Sequence, residues 1–495
     1  MKRYKRIIFY IAIIFTIIIV TGCEMKEVFG EEPVVPVSIS PSPSIDKQFR
    51  VVDAGPDYGG SLILSASGNI DSLNPYFTKN RHVIYIASFI YESLFVNSAE
   101  NDTEPWLVAD WEHEGFLTWE FTLRENVTFH SGQEFTSYDV RHTLRVMENS
   151  ESPFYYTDIL KDIEEIEIIS RMRFKIKLKQ PDKSFISKLV FPILSQSTEF
   201  GNQDIISGTG PFCFESMDEN TINLKKNEKW WYEGLPYLNS VIFKVMPENE
   251  TIDAFQNNEI DIAFVKNIDF SKLQYRTNID YQVYPDNQFN LLYVNPKSLF
   301  GIENRQEALF RYIAYRIHDM NLGQVQYFEQ YGGSFIDADE FRDELIKSGL
   351  QWNDSRKVFT EYGRSLSTLS VLVPEQDMQK LHTANFLVNI LEDIGIPAEI
   401  KTGTPQNVIR AIRNGNYDLS PVTQELRPWE NLEDALKRMQ DDLGYGKEHS
   451  YILPLYRNQQ AILYKNYIRG EKKSSFWNPY YGFHAWYMPL FESGE

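Results

Sequence analysis

Residues 117–140 read LTWEFTLRENVTFHSGQEFTSYDV, and this stretch carries the most structural information in the chain. Apolar and polar residues alternate over residues 118–123, which is typical of a strand with one buried face. Ser131-Gly132 is a turn signal, and a helical pattern begins at Ser137, which we expect to be the helix cap. The stretch therefore predicts a strand, a turn and a helix in that order.

Length and charge exclude several classes of protein. The chain has 495 residues, and 49 Lys and Arg against 69 Asp and Glu give a net charge of −20. At roughly 100–200 residues per domain this length predicts two to four domains. No Lys/Arg-rich run lies beyond the first six residues, so nucleic acid is not an expected partner. Two cysteines, Cys23 and Cys213, do not form a disulfide framework, and we expect Cys213 to be a buried small apolar residue.

The N-terminus is typical of an export signal. Basic residues are followed by an apolar stretch over residues 7–20, and the stretch ends in Val-Thr-Gly-Cys, which resembles a bacterial lipobox. We expect residues 1–22 to be a lipoprotein signal peptide, Cys23 to carry the lipid and residues 23–51, rich in Pro and Ser, to be a tether. An uncleaved anchor helix is the alternative. Either way the predicted location is extracytoplasmic, at the outer face of the plasma membrane of a Gram-positive bacterium.

Strand and helix patterns alternate through the rest of the chain. A helix is predicted over residues 83–95, and the run 368–422 predicts strand, helix, strand, helix and strand. Parallel strands joined by crossover helices need this spacing. The sequence therefore predicts an α/β fold with several lobes, and clefts between lobes are common ligand sites.

Catalytic motifs are missing. The sequence contains no His-Glu-x-x-His, Gly-x-Ser-x-Gly or P-loop pattern, and its eight histidines are scattered singly. We therefore expect no enzyme, no cofactor and no metal. A hydrolase with paired carboxylates stays open, because the separation of acidic residues in space is invisible in a sequence.

Several separated stretches resemble the peptide/nickel-type extracellular solute-binding proteins, family 5, which include the oligopeptide- and dipeptide-binding proteins of ABC importers. The resemblance spans about residues 60–485 and is strongest in the block 107–140. It continues, in the family's order, through GTGPF (208–212), NEKWW (227–231), NEIDIA (258–263) and LPLY (453–456). Asn258 stands where the family has Gly, and residues 313–319 keep only the outline of a family motif.

The resemblance implies the large, type II periplasmic-binding-protein fold, with three domains, two lobes and a hinge. Domain I would comprise residues 52–95, 206–285 and 465–490, domain II residues 96–205, and domain III residues 286–464. Such a protein would be a monomer that encloses a solute between lobes. It would present the closed form to ABC permease and ATPase subunits.

The resemblance also implies a ligand anchor. Peptide-binding relatives hold the ligand's ammonium with an Asp, preceded three positions earlier by Trp, and these positions are Arg427 and Gln424 here. Since Arg repels an ammonium and suits a carboxylate or phosphate, a standard peptide N-terminus is not expected. Glu425 either supplies the missing negative charge or pairs with Arg427. The alternative is that Glu425 and Arg427 lie on a solvated loop.

Four further residues are candidates for the cleft wall. Lys79 and Asn80 lie in the first loop, and Phe154 begins an aromatic cluster that suits stacking on a peptide group or a sugar, or core packing. Asn290 lies at the crossover between domains I and III and is a candidate polar contact.

The leading hypothesis is a lipid-anchored substrate-binding subunit of an ABC importer with peptide-like ligands. A binder of oligosaccharide, metal chelate or another anionic solute is the first alternative. A surface receptor that kept the fold and lost transport is the second.

Overall fold

The computed structural model describes residues 55–70, 72–98, 102–150, 155–197, 206–266, 278–319, 325–327, 335–427, 429–430, 432–443, 451–475 and 477–489. All of them lie in one compact unit, Ile45–Glu495. The expected signal peptide, Cys23, the tether and Phe154 lie outside the described residues. Within the ranges given above, no helix is both long enough and apolar enough to cross a membrane.

The helices and strands follow one another through the whole unit. The helices are α1 (Arg81–Ile90), α2 (Ser137–Glu148), α3 (Thr251–Gln256), α4 (Glu303–Asp319), α5 (Ala338–Lys347), α6 (Met378–Asp393), α7 (Pro405–Asn414) and α8 (Leu432–Leu443). The strands are β1 (Ser61–Ala66), β2 (Phe95–Asn97), β3 (Thr103–Pro105), β4 (Val108–Glu114), β5 (Thr118–Leu123), β6 (Ile163–Ser170), β7 (Arg173–Leu178), β8 (Phe212–Met217), β9 (Thr221–Lys226), β10 (Ser240–Val245), β11 (Ile262–Lys266), β12 (Ile279–Val294), β13 (Val325–Tyr327), β14 (Gln351–Asn353), β15 (Val358–Glu361), β16 (Arg364–Ser365), β17 (Leu369–Pro374), β18 (Ala398–Gly403), β19 (Leu419–Glu425) and β20 (Ile452–Lys465).

One large mixed sheet organises the fold. Its strand order is β18-β17-β19-β12-β20-β11-β1-β10-β9-β8, and β13 adds to β20. The first lobe is built around β1 and β8–β11, and the second around β17–β19. The strands β12 and β20 belong to both lobes, because each is long enough to pair on both sides.

The stretch 117–140 forms the predicted strand, β5, and the predicted helix, α2. The strand β5 lies in a separate antiparallel sheet with the order β4-β5-β7-β6. Trp119, Phe121 and Leu123 are buried on one face of β5, as the alternation predicts. The helix cap is Thr136, so the assignment to Ser137 was wrong. The hydroxyl of Ser137 donates to the carbonyl oxygen of Ser170, and so it is engaged away from the helix end. This sheet shares one continuous hydrophobic core with β1 and α1.

The second lobe contains the predicted run of parallel strands. β17 pairs in parallel with both β18 and β19, and α6 and α7 are the connecting helices. A second hydrophobic core, confined to residues 292–455, packs α4, α5 and α6 against this part of the sheet. The alternation of strand and helix patterns correctly predicted this lobe.

The helix predicted over residues 83–95 is shorter than expected. α1 ends at Ile90, Tyr91 is extended, and Phe95 already begins β2. The cause is the close approach of Gly208 and Gly210: the Gly210 N–H donates to the Ile90 carbonyl at 2.9 Å. A Cβ on Gly208 would lie 1.8 Å from that oxygen.

We expect Gly208→Ala to destabilise the fold by about 1–3 kcal/mol, because the added methyl overlaps backbone that has no room to move. The check is the urea midpoint of unfolding, with Gly403→Ala as the control, since its nearest neighbour would lie at 3.7 Å. Equal midpoints for the two variants would contradict the close approach.

Candidate functional site

The candidate site lies where β12 and β20 pass from one lobe to the other. Residues 279–285 of β12 pair with the half of β20 that contacts β11, and residues 288–294 pair with β19. The register of the β12–β20 pair shifts between Pro285 and Phe289. A cavity of about 730 Å³ opens at this shift, within the range of roughly 300–1,000 Å³ typical of ligand pockets.

The cavity takes its walls from both lobes. Tyr284 and Arg457 come from the crossing strands, Leu426 and Glu430 from the region after β19, and residues 471–475 from the C-terminal segment. An interlobe cavity of this kind changes its shape when the lobes move, which suits it to enclosing a solute.

Arg457 is a half-buried charge on the cavity wall. Its Nε and Nη2 donate to the main-chain carbonyl oxygen of Asp286, at 2.9 and 2.5 Å. Burial lowers the pKa of the guanidinium from 12.5 to about 10, although the Asp286 carboxylate acts in the opposite direction. Desolvation therefore outweighs the effect of the Asp286 carboxylate on this guanidinium.

Several buried polar side chains along the crossing strands have no hydrogen-bond partner among the described residues. They are the Tyr284 hydroxyl, the Asn287 Oδ1, the Asn290 Nδ2 and both amide atoms of Gln460. Leaving a buried polar group without a partner costs about 1–3 kcal/mol. A ligand with polar groups would therefore supply the hydrogen bonds that these buried atoms lack.

An ion pair joins the lobes at Glu425. Its Oε1 lies 2.6 Å from Nη2 of Arg81 in α1, and Gln288 donates to the same oxygen at 3.3 Å. Burial lowers the pKa of Arg81, but Tyr85, Glu425 and Asp286 outweigh it, so the pKa is raised overall. Glu425 thus faces a cation of the protein itself.

A second ion pair joins the lobes at Arg427. Its Nη2 lies 2.8 Å from Oδ2 of Asp158, in the 3₁₀-helix Tyr155–Lys161 of the first lobe. Its Nη1 lies 3.2 Å from Oε1 of Glu430, which also accepts from Arg438. The proposed Glu425–Arg427 pair is therefore not formed, because β19 ends at Glu425 and the chain then turns Arg427 towards other carboxylates.

The other sequence candidates lie in different surroundings. Lys79 is exposed, and Asn80 is the N-cap of α1: its Oδ1 accepts from the His82 N–H, and its Nδ2 donates to two carbonyl oxygens. Gln424 is half-buried on β19, opposite Phe289. Asn290 is buried on β12 and accepts from the Thr423 hydroxyl at 3.1 Å. The structure therefore brings Asn290, Gln424 and Glu425 to one pair of strands and leaves Lys79 apart at the surface.

Sequence reasoning missed Arg81, Asp158, Tyr284 and Arg457. One signal pointed to Arg457, since it directly follows the quoted LPLY stretch and is a charge within an otherwise strand-like run. The other three carry no local signal, because their partners are distant in the chain.

A buried carboxylate links the two sheets of the first lobe. Glu92 accepts hydrogen bonds from the indole N–H groups of Trp106, Trp230 and Trp231, at 2.7 to 3.1 Å. Burial raises the pKa of Glu92 from 4.5 to about 7, against the effect of these donors. His484 packs on Trp230, and its pKa is lowered by burial to about 4. A cavity of about 160 Å³ lies beside this cluster.

Comparisons with known proteins agree with this geometry. The family model for bacterial extracellular solute-binding proteins, family 5 middle, matches residues 102–316. The nickel-binding periplasmic protein of Escherichia coli K12 is 27% identical over 229 residues, which are 44% of this chain and 43% of that protein. A glutathione-binding protein of Salmonella paratyphi A is 28% identical over 213 residues, 41% of this chain and 42% of that protein. The chain therefore matches only about two fifths of the length of these curated relatives.

The solved structures extend the similarity to the whole fold. HbpA2 from Haemophilus parasuis superposes with a TM-score of 0.71 at 16% identity, covering 87% of this chain and all (100%) of that one. Two lobes, crossing strands and an interlobe cavity define a type II periplasmic-binding-protein fold. Within that class, the family 5 model of the bacterial extracellular solute-binding proteins matches residues 102–316 of this chain.

The Arg427–Asp158 contact predicts a measurable coupling between the lobes. In a double-mutant cycle of Arg427→Gln and Asp158→Asn, we expect a coupling of about 0.5–1 kcal/mol that shrinks at high salt, because both side chains are partly exposed. Chemical denaturation of the four proteins provides the measurement. A coupling of zero at low salt would show that the pair does not form in solution.

Glu92 predicts a pH dependence of stability. Because its pKa is higher in the folded than in the unfolded chain, its contribution favours folding below about pH 4.5 and is lost as the pH rises towards 7. His484 acts in the opposite direction as the pH falls from 6.5 towards 4, so the unsubstituted protein shows the sum. The difference in free energy of unfolding between it and Glu92→Gln isolates Glu92. A difference that is constant from pH 4.5 to 7 would contradict the raised pKa.

Proposed function

We propose that this protein is the extracytoplasmic substrate-binding subunit of an ABC importer, which captures a small solute between its lobes and delivers it to a permease. The observation that carries the proposal is the interlobe cavity at the β12–β20 crossing, together with the unpartnered buried polar groups on these strands. The two strands act as the hinge, and the three-domain division expected from the sequence describes the moving parts. No reacting group is needed, because the work is done by differential affinity for the open and closed forms.

The lipid on Cys23 and the tether 23–51 complete the proposal by holding the folded unit close to the permease. Peptide-like solutes are the leading ligand class. Because two relatives are a nickel-binding and a glutathione-binding protein, metal chelates and modified peptides are further candidate ligands. Arg427 supports a departure from ordinary peptides, since it stands in the sequence where the resemblance implies an Asp that anchors the ligand's ammonium.

The test is binding by the full chain in detergent. The panel contains di- to pentapeptides, glutathione and a nickel–histidine chelate, and calorimetry and the shift in melting temperature report binding. We expect at least one class to bind and tryptophan fluorescence to change as the lobes close. Leu426→Trp, which adds bulk to the cavity wall, weakens this binding tenfold or more, whereas Ile409→Trp on an exposed helix face does not.

Two results would overturn the proposal. One is equal binding by the unsubstituted protein and Leu426→Trp, which would place the ligand elsewhere. The other is turnover of a panel compound, which would make the protein an enzyme. Mass spectrometry of material that co-purifies with the protein gives an independent view of the ligand class.

A further inference from the structure

We propose that the cavity beside Glu92, inside the first lobe, is a second binding site and takes a small quaternary ammonium ion. This cavity is separate from the interlobe cavity at the β12–β20 crossing. The inference therefore goes beyond the proposed function and does not depend on it.

The size of the cavity is the first argument. It lies where the end of α1, the strands β2 and β3 and the C-terminal segment meet, and residues within 88–93, 96–104 and 477–484 border it. Its volume is about 160 Å³. An apolar protein cavity of roughly 150 Å³ holds one molecule of benzene. The space therefore suits one compact guest of the size of choline.

Two clusters of aromatic rings border the cavity. In the first, the ring centroids of Trp106 and Trp230 lie 5.7 and 5.2 Å from that of His484. The second consists of three rings whose centroids lie 4.7 to 6.1 Å apart, Phe89, Tyr480 and Phe483. The face of an aromatic ring attracts a cation, and the attraction grows when the cation leaves water. These walls therefore favour an organic cation over a neutral guest of the same shape.

Glu92 places a negative charge beside the rings. Its side chain borders the cavity, and the residue is 6% exposed. The three indoles that donate to its carboxylate are neutral, and within the described ranges it forms no ion pair. Burial raises its pKa to about 7, because taking the carboxylate out of water disfavours its charged form. A cation in the cavity would stabilise that charged form.

The hydrogen bonds of Glu92 favour a quaternary ammonium ion over a primary one. A primary ammonium group has N–H donors and would compete with the indoles for the carboxylate oxygens. A quaternary ammonium ion has no N–H group, so it leaves these hydrogen bonds in place and still gains from the negative charge. The carboxylate also polarises the indoles that donate to it, which makes their faces more negative. Glu92 is thus a positioning residue that acts through Trp106 and Trp230.

The other charged groups near Glu92 do not reverse this preference. Glu104 and Lys472 border the cavity, are exposed and carry opposite charges. Burial lowers the pKa of His484 to about 4, so its ring is neutral at pH 7. Arg124 stacks on the third indole of the Glu92 cluster, 4.4 Å from the ring centroid. Glu92 therefore sets the sign of the potential inside the cavity.

The test compares choline with 3,3-dimethyl-1-butanol, in which a carbon atom replaces the nitrogen and the shape is kept. Full-length protein is titrated with each compound, and calorimetry and tryptophan emission report binding. We expect choline to bind at least about tenfold more tightly than the neutral alcohol, because the rings and Glu92 act on its charge. Equal binding of the two compounds, or binding of neither, would overturn the inference.

Two substitutions locate the bound choline. Val190 is half-buried and borders the cavity, so Val190→Trp fills it and lowers the affinity for choline about tenfold or more. Ile409→Trp, on an exposed face of α7, is the matched control and keeps the affinity of the unsubstituted protein. Leu426→Trp fills the interlobe cavity instead. Loss of choline binding in Leu426→Trp but not in Val190→Trp would place the ion between the lobes and overturn the inference.

Proton release tests the part played by Glu92. At pH 7 its carboxylate is partly protonated, and a bound cation favours the charged form, so choline releases up to about half a proton. Calorimetry in two buffers of different ionisation enthalpy measures this release. We expect Glu92→Gln to abolish it and to weaken choline binding about fivefold. Binding without proton release would overturn the role of Glu92, and if Glu92→Gln fails to fold, the unsubstituted protein alone gives this result.

Discussion

The antiparallel pairing of β12 with β20 is the interaction on which the rest of the structure depends. Each strand continues from one lobe into the other, so the hydrogen bonds of a single ladder hold the two halves of the large sheet together. A pair of this kind resists being pulled apart but bends where its register shifts. The cavity opens beside the shift between Pro285 and Phe289.

The arginines between the lobes differ in the groups with which they pair. Arg81 with Glu425, and Arg427 with Asp158, are ion pairs made within the protein between the two lobes. Arg457 differs because its two strong hydrogen bonds end on a carbonyl.

Glu92 shows a different use of burial in the same molecule. Three indole N–H groups converge on its carboxylate at the junction of the two sheets of the first lobe. The cluster joins the NEKWW stretch (227–231) to the residues that follow α1. The sequence resemblance pointed to the NEKWW stretch, but the sequence did not predict that α1 ends at Ile90. Its role is to fix geometry, since its hydrogen bonds are made within the protein.

The sequence by itself determined the local structure and the family resemblance: the alternation over residues 118–123, the strand and helix run after residue 368, and motifs in a fixed order. These features depend on neighbours a few positions apart, and side-chain periodicity records them directly. Only the tertiary structure decided which charges meet. Arg427 pairs with Asp158, 269 positions away, and Glu425 pairs with Arg81, 344 positions away. Such pairs leave no local pattern, because electrostatic partners are chosen by the distance between atoms in the folded chain and not by their separation along it.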